Sequence, residues 1–227
     1  MHPSVDELAQ RALHLYNDKK SRVLILIGGA PGSGKTTLAT EVARRVSKFL
    51  GEGQSIALPM DGFHYYRHQL LAMDNPEEAI ARRGAPFTFD VERILQYTRR
   101  LVNSNEPVLF PSFDHALKDP LEDAIKVDES VKIIFFEGNY LLMNEPVWAE
   151  LYSLATETWL VKASAAEIRD RLANRHLRAG LVDTLEDGYK RADMNDIPNG
   201  EYMLSHLGRV DVNVDTSSVD SRSKQLQ

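Results

Sequence analysis

A glycine-rich run near the start of the chain has the residue types and the spacing of a phosphate-binding loop. Positions 29–36 (GAPGSGKT) satisfy the pattern G-x-x-x-x-G-K-[ST], between a branched apolar run at 23–27 and an amphipathic segment. Glycines let the backbone curl so that its N–H groups point inward, and the helix that follows adds positive potential. The pattern therefore predicts a loop that binds ATP. The predicted contacts are Gly29, Ala30, Pro31, Gly32, Ser33, Gly34, Lys35, Thr36 and Thr37.

Two side chains of this loop have predicted roles in the chemistry as well as in binding. Lys35 is expected to reach the β- and γ-phosphates, where its positive charge acts in catalysis. Thr36 is expected to hold Mg²⁺ through its hydroxyl oxygen. ATP and Mg²⁺ are thus the predicted cofactors.

Two carboxylates directly follow predicted strands. Asp61 comes after residues 55–60, and Glu137 comes after residues 133–136. Because parallel strands end at the same edge of a sheet, we expect both carboxylates to emerge near the phosphates. Phosphoryl transfer needs one group that accepts the proton of the attacking hydroxyl and another that orients Mg²⁺. Residue types and positions alone do not decide which carboxylate has which role.

Three arginines recur along one predicted helix, residues 165–179. Arg171, Arg175 and Arg178 are spaced i, i+4 and i+7, so their side chains share a face. Arginine suits a transferred phosphoryl group because it is always charged and presents a planar fork to oxygens. We predict that residues 165–200 form a lid that excludes water, in which Arg175 and Arg171 act in catalysis. The alternative is a solvated face whose arginines pair with neighbouring carboxylates.

Residues 62–126 are rich in proline, aspartate and aromatic residues, and they fit an alternation of strands and helices poorly. We predict that this stretch is an insertion that faces the substrate. Arg83 lies in a turn-like RRGAP segment, where it would bind an anionic group of the substrate or pair on the surface. Asp114 and His115 follow a strand-like run, and a capped turn is the alternative there. The predicted substrate-binding residues are His64, Arg83, Asp114, His115 and Tyr140.

The elements that must position these residues alternate between helix and strand. Apolar residues recur at helical spacing in 5–16, 38–49, 91–102 and 165–179. The predicted strands are 23–27, 55–60, 108–113, 133–136, 158–161 and 210–214. This alternation predicts an α/β fold with a mainly parallel, doubly wound sheet whose ligand lies at the carboxyl ends of the strands.

The domain boundaries follow from the same pattern. One domain is predicted over 1–215, with its first helix within 1–20, and a low-complexity tail over 216–227. Residues 194–200 (MNDIPNG) are predicted to form a polar turn, because Asn, Asp, Pro and Gly favour turns.

Composition excludes several classes of protein. The 227 residues, 43% of them apolar, are enough for one sizeable core. A net charge of −6 and the absence of any run of five Lys or Arg argue against nucleic acid as a partner. The lack of cysteine excludes disulfides and thiolate zinc sites and fits a reducing cytoplasm. No apolar stretch reaches 18 residues, so no membrane span is predicted. The sequence is compatible with a homodimer.

Six motifs give the chain a specific resemblance that covers nearly its whole length. It resembles the group of uridine kinases, phosphoribulokinases and bacterial pantothenate kinases in four motifs: GGAPGSGKTT at 28–37, DGFH at 61–64, PSFDH at 111–115 and FFEGNYLL at 135–142. Two further motifs, RRGAPFTFD at 82–90 and RADMNDIPNG at 191–200, are similar to a poorly characterised branch of that group. The branch includes fungal ATP-dependent kinases and bacterial proteins linked to sugar or nucleoside metabolism.

The resemblance implies a fold and a division of roles. The implied fold is the three-layer sandwich of P-loop NTPases. Asp61 would be the base that activates the acceptor hydroxyl, and Glu137 would serve the metal. In uridine kinases the segment like PSFDH continues to a histidine that contacts the base, whereas here Asp114 is followed by HALK. This departure argues against uridine as the acceptor.

Together these features predict an ATP-dependent kinase that phosphorylates a hydroxyl of a small metabolite. The acceptor would be a nucleoside, a sugar or a vitamin alcohol. The alternative is an ATPase or a nucleotide-gated interaction protein, which would need the loop but no acceptor site.

Overall fold

The computed structural model describes residues 3–104, 106–114 and 116–217. The strands are β1 Val23–Gly29, β2 Ser55–Pro59, β3 Val108–Asp114, β4 Asp119–Val127, β5 Ile133–Gly138, β6 Glu157–Lys162 and β7 Val212–Asp215. The α-helices are α1 Val5–Lys19, α2 Lys35–Leu50, α3 Arg67–Leu70, α4 Pro76–Ala81, α5 Val91–Asn103, α6 Leu151–Leu154, α7 Ala165–Arg178, α8 Leu185–Arg191 and α9 Ile197–Ser205. Short 3₁₀ helices cover Met60–Phe63, Pro86–Thr88 and Trp148–Glu150, and one π-helical turn covers Ala192–Asp196.

Five strands form one parallel sheet in the order β2-β5-β1-β6-β7. All residues of β1 and β5 are buried, as their branched apolar runs predict for central strands covered on both faces. Val23, Ile25 and Ile27 pack on one side with α1 and α2, whereas Leu24 and Leu26 pack on the other side with α5 and the β3-β4 pair. The fold is therefore the predicted α/β sandwich of three layers.

The register of the sheet aligns the carboxyl ends of the central strands. Ile27 of β1 pairs with Glu137 of β5, and Gly29 at the end of β1 pairs with Val161 near the end of β6. The segments that leave β1, β2 and β5 therefore emerge at one edge of the sheet, where ligands of such folds bind.

The long helices agree with the predicted segments to within a few residues. The first predicted helix, 5–16, extends to Lys19, and the predicted 165–179 segment is helical through Arg178. Within the described ranges, no helix is both long enough and apolar enough to cross a membrane.

The insertion at 62–126 contains a hairpin that the sequence pattern showed only in part. The predicted strand 108–113 extends to Asp114 and pairs antiparallel with β4, which was not predicted. The pairing shifts register between Phe110 and Ser112, on either side of Pro111. Proline lacks the N–H that a strand ladder needs, and a bulge accommodates it.

The predicted polar turn at 194–200 is wrong, because this segment is helical. The π-helical turn ends at Asp196, and α9 follows at Ile197 without a break, since both residues have helical backbone angles. Pro198 therefore lies next to the irregular part of the hydrogen-bond ladder. Position 200 lies inside α9, and glycine is needed there because a Cβ would be 2.9 Å from Ala30 Cβ in the phosphate loop. Tertiary packing thus overrides the local turn preference of these residues.

Two boundaries near the chain end also differ from the predictions. The last strand covers Val212–Asp215 instead of 210–214. Thr216, assigned to the tail from composition, is buried, with 7% of its surface exposed. The remainder of the predicted tail, 218–227, lies outside the described residues, as does His115.

Candidate active site

The phosphate loop starts where β1 ends and leads directly into α2. Gly32 and Gly34 have φ angles of 77° and 90°, in the left-handed region that favours glycine. Gly34 is the N-cap residue of α2, and none of the described side chains caps this helix end. The first backbone N–H groups of α2 are therefore available to a ligand, and the helix N-terminus favours an anion there.

Two carboxylates and one ammonium group meet at this loop. Thr36 Oγ1 donates a hydrogen bond of 2.9 Å to Glu137 Oε1, and Glu137 is 6% exposed. Burial lowers the pKa of the Lys35 ammonium, and the Glu137 and Asp61 carboxylates partly raise it again. Burial raises the pKa of the Glu137 carboxyl, and Lys35 opposes this effect. The three charged side chains are therefore close enough to act on one another.

The sheet explains why these groups converge. Asp61 lies in the 3₁₀ helix directly after β2, and Glu137 is the last residue but one of β5. Since β1 and β2 both pair with β5, their following segments share one edge. The oxygens of Thr36 and Glu137 are of the kind that Mg²⁺ binds together with phosphate oxygens. Within the described ranges, no cluster of three or more His, Asp or Glu side chains is placed to hold a metal ion.

A cavity of about 630 Å³ lies on the outer side of the loop. Gly34, Thr37 and Leu38 line it from the loop and α2, and Arg171 and Arg178 line it from α7. The volume is within the range of small-molecule sites. The cavity therefore has room for the nucleoside part of a nucleotide whose phosphates bind the loop.

Thr216 connects this cavity to the loop. Its Oγ1 donates a hydrogen bond of 2.7 Å to the Ser33 carbonyl oxygen. Arg171 Nη1 lies 3.4 Å from the Gly32 carbonyl oxygen, and Arg171 Nη2 lies 3.3 Å from that of Thr216. Sequence reasoning missed Thr216 because its surroundings looked like a low-complexity tail, and no local signal marks it.

The three arginines predicted to share a face of α7 have two different environments. Arg171 and Arg178 line the cavity, whereas Arg175 does not. Arg175 Nη2 donates a 3.1 Å hydrogen bond to Asp196 Oδ1, and its charge acts on the pKa of Lys35. Arg175 thus acts electrostatically on Lys35, and the catalytic roles of Arg175 and Arg171 both remain predictions.

His64 lies on the insertion side of Asp61, between two aromatic rings. Its ring centroid is 3.9 Å from that of Phe89 and 5.1 Å from that of Phe113. Its Nδ1 is 2.8 Å from the Asp61 carbonyl oxygen. Because a carbonyl oxygen only accepts, Nδ1 carries the proton in this contact. His64 is therefore held in a fixed orientation directly beside the candidate base.

Arg83 and Asp114 are both engaged with the protein itself. Arg83 Nη2 donates to Asp119 Oδ1 at 2.9 Å and to the Tyr65 carbonyl oxygen at 3.0 Å, and Nη1 donates to the Lys118 carbonyl oxygen. Asp114 Oδ1 accepts hydrogen bonds from the backbone N–H groups of residues 116 and 117, which is the capped-turn arrangement. Contact of either residue with a substrate remains a prediction.

Tyr140 is fully buried. Its hydroxyl donates a 2.5 Å hydrogen bond to the Gly84 carbonyl oxygen, and burial raises its pKa. The ring contacts Phe89 and Trp148 edge-on. In this structure Tyr140 supports the segment around Gly84, and direct substrate contact remains a prediction.

Three residues near the site were not predicted from the sequence. Phe89 and Phe113 flank His64, and Asp196 binds Arg175. The two phenylalanines lie within motifs that had been noticed, so aromatic content was a usable signal for them. Asp196 lacked such a signal because its segment was taken for a turn.

Comparison with known proteins gives a consistent set of similarities. Residues 5–97 match the family model described as Zeta toxin. A Schizosaccharomyces pombe protein named "Putative uridine kinase" is 39% identical over 210 residues, which cover 92% of this chain and 89% of that protein.

Two solved structures share the fold over nearly all of the chain. A protein from Silicibacter sp. TM1040, described as a "putative fructose transport system kinase", has a TM-score of 0.82 and 30% identity, covering 93% of this chain and 98% of that chain. YFH7 from Saccharomyces cerevisiae has a TM-score of 0.83 and 23% identity, covering 94% and 98%, which shows the shared fold alone.

Proposed function

Since this chain belongs to the family of P-loop kinases that contains the Schizosaccharomyces pombe relative, we propose that it transfers the γ-phosphoryl group of Mg·ATP to a hydroxyl of a small metabolite. The observation that carries the proposal is the convergence of Lys35, Asp61 and Glu137 at the phosphate loop. ATP binding alone needs the loop and a metal ligand. Asp61 adds a carboxylate on the side of the insertion, where an acceptor hydroxyl would enter.

Each group has a role in the proposed transfer. Asp61 accepts the proton of the acceptor hydroxyl, whose oxygen forms a bond to the γ-phosphorus while the bond to the ADP oxygen breaks. Lys35 and Arg175 offset the negative charge on the phosphoryl oxygens. Thr36 and Glu137 hold Mg²⁺. The nucleoside part of ATP occupies the cavity beside the loop.

The acceptor is proposed to bind beside His64, whose ring is held by the aromatic rings of Phe89 and Phe113. Flat apolar rings flanking one polar side chain suit a compact hydroxylated molecule such as a nucleoside, a sugar or a vitamin alcohol. The names of the two relatives, a uridine kinase and a fructose transport system kinase, make nucleosides and sugars the first compounds to test.

The test is ATP consumption with Mg²⁺ across a panel of nucleosides, sugars and vitamin alcohols. We expect one compound to stimulate turnover, and we expect Asp61→Asn to lower that turnover by about 10²- to 10⁴-fold, which is the usual contribution of a general base. Asp18→Asn, on the exposed outer face of α1, is the matched control and should have no effect. Slow ATP hydrolysis whose rate is unaffected by every compound and by Asp61→Asn would instead favour a nucleotide-gated interaction protein.

A further inference from the structure

The segment between α8 and α9 contains one π-helical turn, Ala192–Asp196. Such turns are rare, because their hydrogen bonds span five residues instead of four, and they occur frequently at functional sites. Asp196 is the last residue of this turn, and its side chain is 14% exposed. A carboxylate that is largely withdrawn from water needs partners that hold its charge.

Asp196 has two such partners, which are consecutive residues of α7. Its Oδ1 accepts from Arg175 Nη2 at 3.1 Å, and its Oδ2 lies 2.8 Å from His176 Nε2. The His176 side chain is 6% exposed, whereas that of Arg175 is 58% exposed. The buried histidine therefore anchors the carboxylate, and the carboxylate in turn restricts the long arginine side chain, which would otherwise sample many rotamers.

The segment that carries Asp196 is fixed on both sides. One helical turn later, Gly200 packs so closely that a Cβ there would be 2.9 Å from Ala30 Cβ in the phosphate loop. The preceding residue, Asn195, donates Nδ2 to the Arg83 carbonyl oxygen at 3.1 Å and accepts from Arg82 Nε at 3.2 Å. The carboxylate is thus set relative to both the phosphate loop and the insertion.

The charges of Arg175 and Asp196 both act at the phosphate site. Arg175 lowers the pKa of the Lys35 ammonium, and Asp196 raises it. Asp196 also raises the pKa of Tyr140, so it lies near the insertion side as well. The pair is therefore within electrostatic range of the lysine that is expected to contact the β- and γ-phosphates.

We propose that Asp196 is a positioning residue that orients the Arg175 guanidinium toward the transferring phosphoryl group. The hydrogen bond to Asp196 uses Nη2, so with respect to the described residues the Nε and Nη1 edges of the planar guanidinium are available for phosphate oxygens. The inference rests on the proposed function for the role of Arg175, and it adds the residue through which that role is controlled.

The test uses the full chain with Mg·ADP, with and without aluminium fluoride, which mimics the transferring phosphoryl group. The measured quantity is the ratio of the two affinities, obtained by calorimetry. We expect Asp196→Asn and Arg175→Gln each to lower affinity for the fluoride complex roughly 10- to 100-fold, as a misplaced catalytic group does. Affinity for Mg·ADP alone should stay the same. The double variant should lose no more than Arg175→Gln alone, because the two residues act as one unit.

A matched control comes from the same two elements. Arg169 binds Asp193 through two hydrogen bonds of 2.7 Å, which also join α7 to the π-helical turn, but both side chains are more than two-fifths exposed. Asp193→Asn should leave the affinity ratio at the wild-type value. Thermal unfolding checks that Asp196→Asn remains folded; the amide keeps the shape of the carboxylate but loses the negative charge that strengthens its bond to the guanidinium.

Two results would overturn the inference. One is a wild-type affinity ratio in Asp196→Asn, and the other is a double variant whose losses multiply. An acceptor panel without any turnover would refute the proposed function, but it would not change the affinity ratios. Failure of the proposed function and failure of this inference can therefore be told apart.

Discussion

Replacing Lys35 and Glu137 together, by Met and Gln, should stabilise the nucleotide-free protein. Burial lowers the pKa of Lys35 and raises that of Glu137, so folding disfavours the charged form of each. The free-energy cost of burying the charged Lys35 ammonium is fully present below its lowered pKa in the folded protein and vanishes above its pKa in the unfolded chain. The free-energy cost of burying the Glu137 carboxylate is fully present above its raised pKa in the folded protein and vanishes below its pKa in the unfolded chain. Near neutral pH the folded protein therefore bears a cost from these groups.

The magnitude follows from the burial of the two groups. Replacing a buried pair of opposite charges by neutral residues of similar size stabilises proteins by about 1–4 kcal/mol in favourable cases. Lys35 is half-buried and Thr36 beside it is exposed, so solvent screens part of the effect. We therefore expect about 1–2 kcal/mol, which corresponds to a rise of about 2–8 °C in Tm for a chain of this size.

The assay is thermal unfolding at pH 7 without nucleotide, repeated with Mg·ATP. Mg·ATP should raise the Tm of the wild type and leave that of the double variant unchanged, because ligand stabilisation requires binding. The advantage of the variant should shrink as the pH falls through the raised pKa of Glu137. A double variant less stable than the wild type at pH 7 would refute the reasoning.

A second charged pair in the same protein is the control, and it should give the opposite sign. Glu157 is 5% exposed and accepts hydrogen bonds from Arg11 Nε at 2.8 Å and from Trp159 Nε1 at 2.6 Å. The bond to Glu157 raises the pKa of Arg11, so folding favours the charged guanidinium. Replacing Arg11 by Met and Glu157 by Gln should lower the free energy of unfolding by about 1–3 kcal/mol, since well-formed hydrogen bonds are lost.

Three further changes have defined outcomes. Gly200→Ala should destabilise by about 1–2 kcal/mol in urea unfolding, because overpacking against Ala30 outweighs the helix preference of alanine; a more stable variant would contradict this. Tyr140→Phe should cost about 1–3 kcal/mol in the same assay, since the Gly84 carbonyl loses its donor, and an unchanged unfolding free energy would count against it. Thr36→Val should raise the Mg²⁺ concentration for half-maximal turnover about tenfold, and an unaltered Mg²⁺ dependence would exclude a metal role.

The parts of the fold that were predictable depend on contiguous residues. An unbroken run of branched apolar residues is typical of a strand covered on both faces of a sheet. The central strands were therefore predicted from these runs alone. Asp61 and Glu137 were found because parallel strands end at one edge, a rule that needs only the positions of the strands. The loop at 29–36 was found because its glycines and its lysine have fixed spacing.

The parts that were missed depend on residues far apart in the chain. The hairpin partner β4 carries four charged residues without a regular alternation, and it gains its strand conformation from pairing with β3. The segment 194–200 has turn-forming residues, yet it is helical because Gly200 packs on the phosphate loop and Asn195 binds Arg82. Helix propensities differ by less than about 1 kcal/mol for most residues and by about 3 kcal/mol for proline, and tertiary contacts outweigh them here.

The sequence by itself determined the class of fold, the phosphate loop and the two carboxylates at the strand ends, because each depends on local spacing. Only the tertiary structure decided how the arginines of α7 divide, with Arg171 against Thr216 and Arg175 against Asp196. These partners follow the arginines by 45 and 21 residues, and no periodicity connects them. Their contacts exist because folding brings the end of the last strand and the π-helical turn against α7 at positions one helical turn apart.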